Sequence, residues 1–244
     1  MTASEQVPGT RTPGTHCDAC SLHGVCLTHD LPEETQASLD ALLDQPRPLK
    51  RGQALVTQGE PFDTLYLVRS GSLKQVARPI GHEAEHVVGF YLPGEAVGLE
   101  AIGERTCPAS VVALETAFVC ALPYARLREL CQHSTSLNES LLRHMSRELR
   151  SEQRQLCLLS GRTAEQRLAG FLLGLSERFH QRGCSRYRFQ LAMSRGDIGS
   201  HLGLALETVS RVLGRFQRQG LVQVANRELT LLSLEGLHAI LEER

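Results

Sequence analysis

Asp197-Ile198-Gly199-Ser200-His201-Leu202-Gly203-Leu204-Ala205 runs directly into Leu206-Glu207-Thr208-Val209-Ser210-Arg211-Val212-Leu213, and these seventeen residues decide the fold. The first block predicts a short helix broken at Gly203. The second predicts a helix that turns Val209, Val212 and Leu213 inward. A short helix, a glycine turn and a second helix have helix-turn-helix spacing. Downstream, Gly220-Leu221-Val222-Gln223-Val224 and Glu228-Leu229-Thr230-Leu231 read as the two strands of a wing hairpin. Between Arg186 and Gln219, Arg186, Arg188, Arg195, Arg211, Arg215 and Arg218 stand against Asp197 and Glu207. That local excess of positive charge suits a phosphate backbone. The whole chain of 244 residues has a formal net charge of −1, so a basic surface has to be local. An all-α packing segment is the bland alternative; the turn glycine, the basic face and the exposed Glu-Thr-x-Ser-Arg start weigh against it.

The first turns of a recognition helix point side chains at base edges in the major groove. Arg211 can bond guanine O6 and N7 together, Glu207 can accept from a cytosine amino group, and Ser210 can meet a base or a phosphate. The competing reading makes Glu207 and Arg211, four apart on one helix, a surface ion pair contributing well under about 1 kcal/mol.

Toward the N-terminus the pattern changes. From Arg47 to Leu122 the chain is glycine-rich, with strand-sized runs at Ala54–Val56, Thr64–Val68, Ser72–Val76, His86–Phe90 and Val111–Leu114. Turn signals at Gly59-Glu60-Pro61, Ser70-Gly71, Pro79-Ile80-Gly81 and Pro93-Gly94 separate them. Many short strands at near-regular spacing favour a small antiparallel roll or barrel. Helical patterning begins at Pro123, a residue suited to a helix start. Between Ser136 and Ser160, Leu142, Met145, Leu149, Leu156 and Leu159 lie at intervals of 3, 4, 7 and 3. This is a heptad seam with one gap, and the gap falls on Glu152. The stripe reads either as the inner face of a helix packed on its own domain or as the seam of a parallel dimer.

Eight cysteines remain to be explained, three of them crowded as Cys17-x2-Cys20-x5-Cys26. Met1 to His16 is polar, with Pro8 and Pro13, and lacks the apolar core of a signal peptide; no run approaches a membrane helix. In a chain read as cytoplasmic, with reduced thiols, cysteines at this density suit an iron–sulfur cluster or zinc rather than disulfides. Softness alone leaves Cys107, Cys120, Cys131, Cys157 and Cys184 open as a fourth ligand. Thr106-Cys107-Pro108 reads as an exposed turn, while Cys131, Cys157 and Cys184 read as small helical fillers.

Taken together, Cys17-x2-Cys20-x5-Cys26, Leu114-Glu115-Thr116-Ala117-Phe118-Val119-Cys120-Ala121-Leu122-Pro123, Arg195-Gly196-Asp197-Ile198-Gly199, Leu202-Gly203-Leu204 and Glu207 through Gln217 resemble one family over nearly the whole chain. That family is the oxygen-sensing fumarate-and-nitrate-reduction (FNR) branch of the cyclic-AMP receptor protein superfamily. The resemblance implies an α+β architecture. Residues 1–30 would form a cysteine-rich arm and 31–122 a β-roll sensor of cyclic-nucleotide-binding type. Residues 123–160 would hold a short helix and a long dimerisation helix, and 161–244 a winged helix-turn-helix domain. It implies a [4Fe–4S] cluster held by Cys17, Cys20, Cys26 and Cys120 that keeps a homodimer together when oxygen is scarce. It also implies a seam of Leu142, Met145, Leu149, Glu152, Leu156 and Leu159. Glu207, Ser210 and Arg211, with Thr208 and Arg195 beside them, would read TTGAT-type half-sites of an inverted repeat in promoter DNA. RNA polymerase is the implied partner for activation.

Three other readings compete. Zinc could be held by the arm cysteines with His16, His23 or His29, but the x5 interval is loose for a zinc knuckle. His82, Glu83, Glu85 and His86 resemble a second metal cluster and read as a solvated hairpin tip. For a cyclic nucleotide, Gly94-Glu95 and Arg105-Thr106 preserve part of the superfamily's pocket. The segment aligned with its phosphate grip is Cys107-Pro108-Ala109, which offers no guanidinium, so no cyclic-nucleotide response is expected. An enzyme or electron carrier is disfavoured, because no acid–base pair, nucleophile constellation or phosphate loop accompanies the cysteines.

Overall fold

The computed structural model describes residues 20, 22, 25–28, 30–44, 47–78 and 84–243. Helix α1 (Glu33–Leu42) leads into eight strands: β1 (Arg47–Leu49), β2 (Ala54–Val56), β3 (Thr64–Ser70), β4 (Leu73–Ala77), β5 (His86–Tyr91), β6 (Ala96–Val97), β7 (Ser110–Ala113) and β8 (Ala117–Pro123). Helices α2 (Tyr124–His133), α3 (Thr135–Leu159) and α4 (Ala164–Gln181) follow. The chain then continues through β9 (Arg188–Gln190), α5 (Arg195–Leu202), α6 (Leu206–Arg218), β10 (Val222–Ala225), β11 (Glu228–Leu231) and α7 (Leu234–Glu242).

The eight strands form two antiparallel sheets, ordered β1-β8-β3-β6 and β2-β7-β4-β5. Side-chain alternation along a strand sorts residues between two cores. On β3, Val68 and on β8, Ala117 and Val119 point into the space between the sheets, with Leu73, Tyr91 and Val111 opposite. Leu65, Leu67 and Leu122 point the other way, against Leu39 of α1, Leu127 of α2, Leu137 of α3 and Leu27 of the arm. Each fully buried leucine stabilises the fold by about 1.5–3 kcal/mol.

Several features depart from the sequence reading. Helix α1 precedes the roll where no helix is expected, starting behind Pro32 with Glu33 and Glu34 in its first turn. Pro123 ends β8 and stands just outside α2. Strands β1, β6 and β9, of two or three residues each, are too short to carry a periodic signal. Cys107 is buried rather than exposed in a turn, whereas Cys157 and Cys184 are exposed and fill no core. His86 opens β5, and Glu85 pairs with Arg78 at 3.0 Å; His82 and Glu83 lie outside the described residues.

The C-terminal unit follows from local chemistry. Ser194 and Asp197 form a reciprocal capping box at the start of α5. Gly203 ends the helix in the left-handed region (φ 64°), which costs glycine nothing. Gly199 lets the turn close, since a Cβ there would sit 2.6 Å from the Leu204 carbonyl oxygen. Helix α6 buries Val209, Val212, Leu213 and Phe216. The wing strands β10 and β11 pair from Val222↔Leu231 to Ala225↔Glu228, and β9 adds a third strand to that sheet.

This unit docks on the roll. Lys74 of β4 meets Asp197 at 2.6 Å, and Ser200 accepts from the Val87 backbone N–H at 2.9 Å. His201 is buried between Phe90 (ring centroids 4.9 Å) and Phe171 (5.6 Å). Burial is the main force that pushes its pKa down to about 4. The folded chain therefore keeps His201 neutral while the unfolded chain binds a proton below about pH 6.5. Stability is full above that value and falls as the pH drops toward 4, by up to about 3 kcal/mol. Denaturant titrations at pH about 7 and about 4.5 should show this loss, and His201→Phe should flatten it.

Candidate metal centre and nucleic-acid interface

The arm reaches the roll through a tight turn in which Val25 and Cys26 both donate backbone N–H bonds to the Leu22 carbonyl at 3.0 Å. Leu27 and Thr28 are then fully buried, and Cys26 packs with them on the outer face of the first sheet. Cys120 reaches the same face by strand parity: on β8 it alternates with the inward Val119, and it pairs with Leu67. Cys20 lies close enough to both for its charge to disfavour ionisation of Cys26 and Cys120. Burial above all pushes the Cys26 thiol up to about 11, although backbone N–H groups of Thr28 and Leu27 pull the other way. Burial also raises Cys120, partly offset by the charge and hydrogen bond of Arg69. Cys107 sits elsewhere, inside the roll with Phe62, Tyr66 and Val97. Tyr66 and Leu67 point to opposite faces of β3, so Cys107 and Cys120 are on different sides of the sheet. Cys17, His16, His23 and His29 lie outside the described residues. Among the described residues no group of three or more histidine, cysteine or acidic side chains is gathered as a metal site.

The arm is tied to the long helix from behind. Ser140 of α3 donates to the Leu27 carbonyl at 3.0 Å. The His144 ring faces the Ser140 carbonyl at 3.0 Å and the Val25 carbonyl at 3.5 Å; a neutral ring donates to one at a time. On the opposite side of α3 the apolar stripe stands uncovered: Leu142, Leu149 and Leu156 are 55%, 61% and 67% exposed. Met145 and Glu152 are exposed beside them. Leu159 differs, being half-buried against the C-terminal core of its own chain.

At the other end of the molecule, Glu207 and Arg211 project from the first turns of α6 into solvent, with Thr208 and Ser210 half-buried beside them. Among the described residues no ion pair joins Glu207 to Arg211, so neither side chain is occupied by the other. Arg195, in the first turn of α5, donates to the Ser210 hydroxyl at 3.3 Å, which brings the two helices' polar faces together. The local charge excess is smaller than the sequence suggests. Arg186 pairs with Glu177 and Arg188 with Glu228, both at 2.9 Å, and Arg215 pairs with Glu165. Arg195, Arg211 and Arg218 remain without a carboxylate partner among the described residues.

Sequence reasoning missed Ser140, His144 and the Glu95–Arg178–Arg182 group. Ser140 and His144 carry no motif. Glu95 stands out in the sequence only as a remnant of a nucleotide pocket, yet it accepts from Arg178 of α4 at 2.6 and 3.1 Å and from Arg182 just past the end of that helix. The space around Phe62, Tyr66, Val97, Glu100 and Cys107, inside the roll, is about 10 Å³, room for about one water. No helix among the described residues is long and apolar enough to cross a membrane.

Comparison with known proteins gives the same two-part division. Residues 46–134 match the family described as a cyclic nucleotide-binding domain, and residues 166–240 the Crp-like helix-turn-helix domain. The chain is 45% identical over 237 residues to the transcriptional activator protein anr of Pseudomonas aeruginosa, covering 97% of each. It is 39% identical over 222 residues to the fumarate and nitrate reduction regulatory protein of Escherichia coli, covering 91% of this chain and 88% of that one. Among solved structures, FixK2 from Bradyrhizobium japonicum superposes with a TM-score of 0.74 at 26% identity, covering 82% of this chain and 98% of the other.

Proposed function

The chain belongs to the FNR-type transcriptional regulators of the cyclic-AMP receptor protein superfamily, and on that premise we propose that it is an oxygen-responsive regulator. In this reading Cys17, Cys20, Cys26 and Cys120 hold a [4Fe–4S] cluster, a cytoplasmic homodimer binds inverted-repeat promoter DNA when oxygen is scarce, and cluster-free chains separate and release it. The observation that carries the reading is the arm. The turn that delivers Cys26 to the face of Cys120 is the same turn that Ser140 and His144 attach to the back of α3.

Four thiols are the donor chemistry the group takes, and three of them, Cys20, Cys26 and Cys120, are described, though not gathered into one metal site. Cys26 and Cys120 share one face, Cys20 is near both, and N–H groups of Leu27 and Thr28 point at the Cys26 sulfur. Without metal the burial of Cys26 favours its thiol, so ligation and deprotonation are coupled. When bound, a [4Fe–4S] cluster supplies a soft, oxygen-labile core that takes up four thiolates. Held arm residues keep Leu27 and Val25 against Ser140 and His144, and α3 then offers Leu142, Met145, Leu149 and Leu156 to a second copy. Glu152 opposes this. In a parallel pair each Glu152 approaches its twofold mate, and two like charges there weaken the seam. Free energy from ligation then decides between monomer and dimer. Two α6 helices on one inverted repeat add their contacts, which one alone cannot.

Supporting the absence of a cyclic-nucleotide response, the interior of the roll has room for about one water, and Glu95 is committed to two arginines. RNA polymerase remains the partner this reading requires for activation.

Iron, sulfide and zinc content with a visible spectrum, before and after air, tests the cluster, together with binding to a TTGAT-type inverted repeat. Zinc without sulfide in anaerobically purified protein sinks the reading. Glu152→Ala should give a dimer in air by sedimentation; only monomer would refute the seam. Arg211→Ala should cost about 1–3 kcal/mol of binding and relax selectivity at one guanine, read from affinities for single-base variants. A uniform loss over all sequences would make Arg211 a phosphate contact instead.

A further inference from the structure

Beside its apolar stripe, α3 carries a charged one. Arg147, Arg150 and Arg154 recur at intervals of three and four, so they share a helix face, and they line a cavity of about 510 Å³. Its other walls include Val25 of the arm, the Gly94–Ala96 segment of the roll, Arg178 of α4 and Arg182 just past its end. Val25 seats closely on that segment: a Cβ on Gly94 would lie 2.5 Å from Val25 Cγ2. Arm, roll, α3 and α4 therefore all meet at this one space.

Its charge is unbalanced. Among the described residues Glu95 is the carboxylate in contact with both Arg178 and Arg182, whose side chains are 29% and 6% exposed, and the Glu148 charge also acts on Arg178. Arg182 also donates to the Pro93 and Arg178 carbonyls, and Arg178 donates to the Phe90 carbonyl at 2.6 Å. Arg147, Arg150 and Arg154 have no carboxylate partner among the described residues. The other acid in the wall, Glu148, is pushed up to about 7 by burial, with Glu95, Glu152 and Glu100 adding to the effect and the Arg178 charge opposing it. It is only partly charged near neutral pH. The cavity gathers five guanidiniums, three exposed on α3 and two held by Glu95, around two carboxylates, and guanidinium forks match phosphate oxygens two at a time. The volume is that of a small-molecule site. Dimer formation leaves it open, because Arg147 and Arg154 lie on the side of α3 opposite the heptad seam.

We propose that this cavity binds a small anion carrying two or more phosphate groups, as a second input that bridges arm, α3 and α4. It is separate from the closed interior of the roll and has no cysteine in its walls.

Calorimetry of inorganic pyrophosphate with the full-length protein tests it, with adenosine diphosphate as a second arm to separate a nucleotide from an inorganic source. Saturable binding at one site per chain is expected, with a raised Tm at saturation. The double substitution Arg150→Ala/Arg154→Ala, at exposed helical positions, should weaken binding of either probe about tenfold or more. Arg211→Ala on the recognition helix should leave it unchanged. Absence of saturable binding at millimolar pyrophosphate overturns the proposal. So does binding that survives the double substitution but is lost in Arg211→Ala, which would place the anion on the DNA-facing surface.

Discussion

Cys120→Ser should reduce the iron and sulfide of anaerobically reconstituted protein to background and abolish its visible absorbance. Serine oxygen is a hard donor, poorly matched to iron–sulfide chemistry, and the position is half-buried, so the change in volume disturbs packing little. The variant is expected to fold and to run as a monomer under nitrogen. Its affinity for a full inverted repeat should fall by about 100-fold or more, because a second recognition helix no longer contributes. Cys107→Ser is the matched control. Cys107 is buried inside the roll, on the other side of the first sheet, so its substitution should leave iron and sulfide intact. If Cys107→Ser loses the metal and Cys120→Ser keeps it, the ligand set is wrong.

The second large effect is expected at Glu95→Ala. This carboxylate joins the roll to α4 by accepting from Arg178 and Arg182 together, while its other contact is the Leu92 backbone N–H at 2.9 Å. Its removal leaves two guanidiniums facing each other without a counter-charge, which costs about 3–5 kcal/mol. The roll and the C-terminal unit should then unfold in two transitions rather than one, measured by calorimetry. Burial alone would raise the pKa of Glu95, but the two arginines outweigh it and hold the carboxylate below its usual range. The group is ionised in both states above about pH 4.5, where its contribution is complete. That contribution is lost as the pH falls through the depressed folded value. A single transition and unchanged stability in Glu95→Ala would show that the ion network contributes nothing to docking.

How much of this was legible in the sequence depends on the range of the forces. The helix-turn-helix could be read because its determinants are neighbours: Ser194 caps Asp197, Gly203 takes the left-handed turn, and α6 carries its own apolar face. The apolar stripe of α3 was equally legible, since Leu142, Leu149 and Leu156 repeat along one helix and remain exposed. Short pieces were not. Strands β1 and β6 are specified by the partners they pair with rather than by any pattern of their own. Long-range pairing also changed the charge count at the DNA-facing end, where Arg186, Arg188 and Arg215 turned out to be occupied.

The sequence by itself therefore determined the kind of protein: a β-roll, a long helix with an acid in its apolar stripe, a winged helix-turn-helix, and a cysteine-rich arm. Periodicity, caps and turn residues act over a few positions, and those are visible in one dimension. Which cysteine shares a face with Cys26, which carbonyls Ser140 and His144 hold, and which arginines are left without a counter-charge were decided only by tertiary structure. Each depends on strand parity or on a contact between segments tens of residues apart, and burial sets its strength only once the chain has closed around it.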